Sequence, residues 1–160
     1  MRSLFKMAEP VGILLKERGQ TVAVSESAAG GLISGALLSV PGASAYFLGG
    51  ASVYTQTARR GLLRFNDAKA QMRGSTEEYA LLTASTILTI FETDWAIGES
   101  GAAGPGGNRY GDPAGHVALA VTGPATATRI VQTGNTQREE NMWAFCRSAL
   151  ELLYETMCAG

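Results

Sequence analysis

Apolar and polar positions along the chain recur with two periods, 3.6 and 2, and so lay out a series of helices and strands. From about residue 9 to 18, Val11, Leu14 and Leu15 hold helical spacing, Pro10 suits the first turn, and Gly19 is a stop signal. Thr21 to Val24 is a short β-favouring run. Leu32, Ile33, Ala36, Leu37 and Val40 then return to helical spacing until Pro41-Gly42 ends the pattern. Tyr46 to Thr55 reads as a second strand weakened by Gly49 and Gly50, followed by a short helix whose apolar side includes Leu62 and Leu63. This order predicts a β-α-β crossover, and therefore a parallel strand pair.

In the second half, Tyr79, Leu82, Thr86, Ile87 and Ile90 predict a helix from Thr76 to Phe91, with Thr76 as N-cap and Glu77 and Glu78 at the positive end of its dipole. Trp95 to Gly98 is a short buried strand. Gly98 to Gly111 holds six glycines and Pro105 and is expected to be a loop with unusual backbone angles. His116 to Val121 and Thr126 to Thr133 form a predicted antiparallel hairpin around Gly123-Pro124. Met142, Cys146, Ala149, Leu150, Leu153 and Met157 mark one face of a terminal helix. The expected fold is a single domain over residues 1–160, a three-layer α/β/α sandwich with a mixed sheet. In such sheets a ligand sits beyond the carboxyl ends of the strands, which here means Ser25 to Gly31 and Glu99 to Gly111.

Composition narrows the partners. Thirteen basic and fourteen acidic residues give a net charge of −1, which excludes the basic footprint of a nucleic-acid binder. Only 17% of residues are charged, and none lies between Glu26 and Arg59. Glycines and Pro41 interrupt that stretch too often for a membrane span, so burial against a second copy in a two-fold dimer is expected for part of it. Cys146 and Cys158 share the last helix about 18 Å apart, too far to pair, and are expected to be buried thiols. The first twenty residues lack a secretory pattern, and a cytoplasmic protein is expected.

Ser25-Glu-Ser-Ala-Ala-Gly-Gly31 lies between a strand and a helix, where backbone N–H groups favour a phosphate or a developing oxyanion. A capping serine followed by packing glycines would look the same. The chain has no G-x-x-x-x-G-K-[ST] and no G-x-G-x-x-G after a strand, so nucleoside triphosphate and dinucleotide readings lack their residues. The glycines from Gly101 to Gly107 imply close approach by a backbone or a ligand, or else a surface linker. His116, the single histidine, has no companion for a metal site and no fixed partner for a catalytic triad.

The succession S-E-S-x-x-G-G, P-G-x-S-x-x-F, a strand ending in Tyr-Thr, G-x-S-G-x-A-G-P-x-G and P-x-G-H-V resembles the CinA C-terminal family, the nicotinamide-nucleotide amidohydrolases, from about residue 9 to 155. The resemblance implies hydrolysis of nicotinamide mononucleotide to nicotinate mononucleotide and ammonia, with no metal and no cofactor. It places the nucleophile at Ser27, with Tyr54 and Arg59 beside it. It places substrate contacts at Gly30, Gly31, Ser100, Gly101, Gly104, His116 and Arg138.

Three departures from the family pattern bear on chemistry. The family's lysine, five residues after the tyrosine, is Arg59 here, and a guanidinium with a pKa above about 12 cannot take a serine proton. Two family arginines before the last helix fall on Thr136 and Glu140, with Arg138 one shift away, and a threonine has become His116. Two readings follow: an amidohydrolase whose Ser27 is activated by another group, Tyr54 or His116, or an inactive module that binds a nucleotide or a protein partner.

Overall fold

The computed structural model describes every residue from Met1 to Gly160. In chain order the elements are α1 (Leu4–Arg18), β1 (Val22–Glu26), α2 (Leu32–Leu38), a 3-10 turn (Ala43–Ala45), β2 (Phe47–Ser52), α3 (Gln56–Leu63) and α4 (Asp67–Ala70). There follow α5 (Glu77–Phe91), β3 (Trp95–Ala102), β4 (His116–Thr122), β5 (Ala127–Gln132) and α6 (Arg138–Ala159). The sheet order is β2-β1-β3-β4-β5. Strand β1 runs parallel to β2 and β3, and the β3/β4 and β4/β5 pairs are antiparallel. Helices α1, α2 and α6 cover one face and α3, α4 and α5 the other, which is the three-layer sandwich with a mixed sheet.

The two faces of the sheet differ in side-chain size. Val22, Val24, Trp95, Ile97, Val117, Leu119 and Val121 point to the α1/α2/α6 side, whereas Ala23, Ala96, Ala118 and Ala120 alternate with them on the α5 side. The alanine side lets α5 lie directly on the strands. At Gly98 the approach is closest: a Cβ there would fall 2.0 Å from the Ala80 carbonyl oxygen and 2.8 Å from Thr83 Oγ1.

Several expectations change in the structure. Helix α1 starts at Leu4 rather than near residue 9, because Ser3 caps it through the Lys6 N–H and Leu4 and Met7 pack on the core; Pro10 sits inside the helix, not in its first turn. Gly98–Ala102 is strand, not loop, since small residues are what the α5 side of β3 requires and Gly101 pairs with Val117. On α3, Leu63 and Arg59 are buried while Leu62 faces solvent. Cys158 is exposed, and only Cys146 is buried. No helix is long and apolar enough to cross a membrane.

Candidate functional site

At the carboxyl ends of β1 and β2 and alongside β3 lies a cavity of about 270 Å³. It gathers five of the motif residues, Ser27, Tyr54, Arg59, Ser100 and Gly101. Thr55, Gln56, Ser75, Asn108, Arg109 and Tyr110 complete its polar wall. A larger hollow of about 380 Å³ between α1 and α6, lined by Arg2, Lys6 and Trp143, holds none of the motif residues.

The turn from Ser27 to Gly31 does not present open N–H groups, contrary to the anion-binding expectation. Glu99 accepts from the N–H groups of Ser27 (2.8 Å), Ala28 (3.2 Å) and Ala29 (2.9 Å). Glu26 accepts from those of Gly31 (2.9 Å), Ile33 (3.0 Å) and Ser34 (2.9 Å), and from the Ser34 hydroxyl. Gly30 N–H donates to Ser27 O and Leu32 N–H to Ala29 O. Every N–H from Ser27 to Ser34 is thereby bonded inside the protein, and two carboxylates occupy the places a phosphate would take. Gly30 and Gly31, at φ 65° and 98°, supply the left-handed turn that folds α2 back over Glu26. They shape this support and do not line the cavity.

Burial raises the Glu99 carboxyl from its ordinary 4.5 to about 7, with the Glu26 charge adding to it and the N–H bonds opposing. Burial and both carboxylates push the Cys146 thiol up to about 12, so it stays protonated. Strand alternation places Glu99 on the α2 side of β3 and Ser100 on the cavity side, where its Oγ accepts the Ser75 N–H at 3.0 Å.

Arg59 is locked from behind. Its Nη1 donates to the carbonyls of Ala70 (2.9 Å) and Met72 (2.7 Å), and its guanidinium lies 4.3 Å above the Tyr79 ring. Its Nε is buried without a partner, and Nη2 makes no hydrogen bond to the protein. Burial pushes the Tyr79 phenol up to about 12 against the pull of Arg59. Tyr110 shifts the other way. Its burial is outweighed by the Arg109 and Gly74 hydrogen bonds and by the charges of Arg109 and Arg59, which hold its phenol below the usual value. The Ser27 hydroxyl has no hydrogen bond to the protein, and neither Tyr54 nor His116 bonds it.

The remaining expected contacts stand one layer back. His116 is buried outside the cavity wall. Its Nε2–H donates to Ser75 O at 2.9 Å, and its Nδ1 lies 3.3 Å from the Gln132 side-chain amide. Arg138 donates through Nη2 to Tyr54 Oη at 3.0 Å and through Nη1 to the Gly104 carbonyl, bracing the tyrosine against the glycine loop. Glu140 turns away to pair with Arg2. The loop after β3 is no slack linker. Asn108 and Arg73 both bond Asp112, and Asn141 Nδ2 on α6 donates to Ala103 O and Asn135 O.

The sequence profile of the CinA C-terminal domain matches residues 4–157. The chain belongs to the CinA C-terminal domain family. A CinA-like protein of Synechococcus sp. strain CC9902 is 41% identical over 111 residues, covering 69% of this chain and 26% of that protein. One of Chlorobium phaeobacteroides is 32% identical over 155 residues, covering 93% of this chain and 37% of its own. The CinA domain here thus spans between a quarter and two fifths of those relatives. Among solved structures, the competence/damage inducible protein CihA of Agrobacterium tumefaciens superposes with a TM-score of 0.87 at 30% identity, over 96% of this chain and 94% of that one. A CinA superfamily protein of Klebsiella pneumoniae gives 0.90 at 25% identity, over 99% and 100%.

In this CinA domain the motif reading passed over Glu99, which the structure places directly under the Ser27 turn. A single acid inside a buried run of small residues, Gly98-Glu99-Ser100-Gly101, was the available signal, because an ionisable group in such a strand needs dedicated donors. Asn108, Arg109 and Tyr110 lie in the Glu99 to Gly111 segment expected at the ligand position, and the fold brings them into one cavity with Arg59.

Proposed function

We propose that the cavity binds nicotinamide mononucleotide and that Ser27 hydrolyses its carboxamide to nicotinate mononucleotide and ammonia. The observation that carries this reading is the Ser27 hydroxyl, unbonded to the protein, in one cavity with the free Nη2 of Arg59. Ser27 Oγ attacks the amide carbon, the C–N bond breaks, and the serine proton leaves on ammonia. Water then cleaves the ester, returns one proton to Oγ and releases the pyridine carboxylate, its other proton passing to the ammonia to give ammonium. With the turn N–H groups already bonded, Arg59 Nη2 and the Ser100 hydroxyl are two donors of the cavity wall open to the oxyanion. Arg109 is the second cation on the wall and suits the phosphate.

Arg59 does not accept the Ser27 proton. Absence of a general base forfeits about 10²–10⁴ in rate, so turnover is slow. The same observation supports a second reading, a nucleotide-binding module without turnover. Ammonia release from nicotinamide mononucleotide, measured for the wild type and Ser27→Ala, separates the two. The variant is expected to lose all release with a nearly unchanged melting temperature, since no hydrogen bond of the protein is removed. Equal release by both proteins refutes Ser27 as nucleophile, and binding without release in the wild type favours the module.

A further inference from the structure

The guanidinium of Arg59 is the group the reaction scheme uses least well and the structure holds most firmly. Two carbonyls and an aromatic face fix its plane, and its buried Nε and cavity-side Nη2 have no partner in the protein. The cavity wall itself carries no carboxylate. Of the acids near it, Glu26 and Glu99 are turned into the N–H groups of the Ser27 loop and Asp112 is engaged by Arg73 and Asn108. With Nε sealed off and Nη1 spent on carbonyls, Nη2 is the nitrogen open to a ligand, and a charged acceptor such as a carboxylate oxygen completes it better than a neutral one. A carboxamide matches it poorly: it offers one neutral acceptor, and its NH₂ presents donors to donors.

Resting on the assignment of the cavity to a pyridine mononucleotide, we infer that the site selects the ring carboxylate over the ring carboxamide, with Arg59 as carboxylate receptor. The acid form is the preferred ligand, and any deamidation is held back by its own product. Two features of the cavity bear on this choice of group. Ser100 Oγ has already accepted the Ser75 N–H and keeps its own O–H to donate to a second carboxylate oxygen. Arg59 Nη2 and Ser100 Oγ both border Gly74, lying 3.0 and 3.1 Å from where a Cβ on that glycine would be, so the two donors serve one small group.

Calorimetric titration of the full chain with nicotinate mononucleotide, nicotinamide mononucleotide and nicotinamide riboside tests this. The acid is expected to bind at least tenfold tighter than the amide, and Arg59→Met to bring that ratio to about one while keeping the tighter binding of nucleotide over riboside. Equal affinities in the wild type, or a tighter amide, overturn the selectivity and leave the cavity assignment standing. If no nucleotide binds at millimolar concentration, the cavity assignment itself fails. An Arg59→Met variant that keeps the acid preference, or that erases instead the gain from the phosphate, removes Arg59 as the carboxylate receptor. Should Arg59→Met not fold, Arg59→Lys is titrated in its place: a lysine keeps the charge and loses the planar fork, so the acid preference is expected to shrink, and an undiminished preference counts against the assignment.

Discussion

Replacing Glu99 by glutamine removes the charge beneath Ser27 while keeping the side-chain shape. In the wild type two influences on this carboxyl oppose each other. Burial and the neighbouring Glu26 favour the neutral acid, and the N–H groups of Ala29, Ser27 and Ala28 favour the carboxylate. Burial prevails, and the carboxyl titrates at about 7 instead of 4.5. Between those values the folded state binds a proton that the unfolded chain has released, so this group makes stability fall as pH rises through that window. At about 1.4 kcal/mol per pH unit the total loss is about 3 kcal/mol. Glutamine does not titrate, and it carries a fixed penalty of about 1–3 kcal/mol because its NH₂ faces backbone donors. Urea unfolding of both proteins at intervals from pH 4.5 to 8 should show the wild type losing about 3 kcal/mol relative to Glu99→Gln across the series. Asp112 does not interfere. Although its burial acts the other way, the hydrogen bonds from Asn108 and Arg73 hold its carboxyl below the ordinary 3.8, so the stability it contributes is lost only at more acidic pH. A constant difference between the two proteins, or one that grows in the opposite sense, would show that the N–H groups outweigh burial, and the account of Glu99 would fail.

Two further outcomes are expected. Arg59→Lys should raise ammonia release from nicotinamide mononucleotide by about 10²–10⁴ if proton transfer from Ser27 is the missing step, at a stability cost of about 1–3 kcal/mol for the carbonyl bonds to Ala70 and Met72; a variant no faster than wild type rules that step out. Gly98→Ala should destabilise by about 3 kcal/mol or more, because the added methyl meets the backbone of α5. A melting temperature within a degree of wild type would contradict that packing.

The alternation of large apolar residues made most of the sheet legible, and capping chemistry located the start of α5, whereas α2 stops at Leu38, short of the expected Val40. What escaped was written in small residues. Gly98-Glu99-Ser100-Gly101-Ala102 lacks the β-branched signal of a strand, although alternation continues through it once one face is known to meet α5. Residues Leu4 to Ala8 of α1 were hidden by reading Pro10 as a first-turn residue. The motif residues Ser27, Tyr54, Arg59, Ser100 and Gly101 do converge on one cavity. Which backbone donors remain open in that cavity is a matter of long-range partners, and Glu99 lies seventy-two residues from the Ser27 N–H it accepts. Local spacing carries no information about that.

The alanine side of the sheet also sets a dimension of the cavity. Helix α5 begins at Glu77 with Thr76 as its N-cap, and Ser75 just before it meets Ser100 while Ala80 and Thr83, one and two turns further on, rest against Gly98, which has no side chain in the way. The gap between Gly74 and Ser100 is therefore set in part by atoms beneath the helix, together with Asn108 and His116, which hold the Ser75 hydroxyl and carbonyl. Enlarging Ala96, Ala118 or Ala120, core residues beneath α5, would press the helix off the sheet and strain the Ser75–Ser100 contact. Residues that do not line the cavity thus act as calipers on its width.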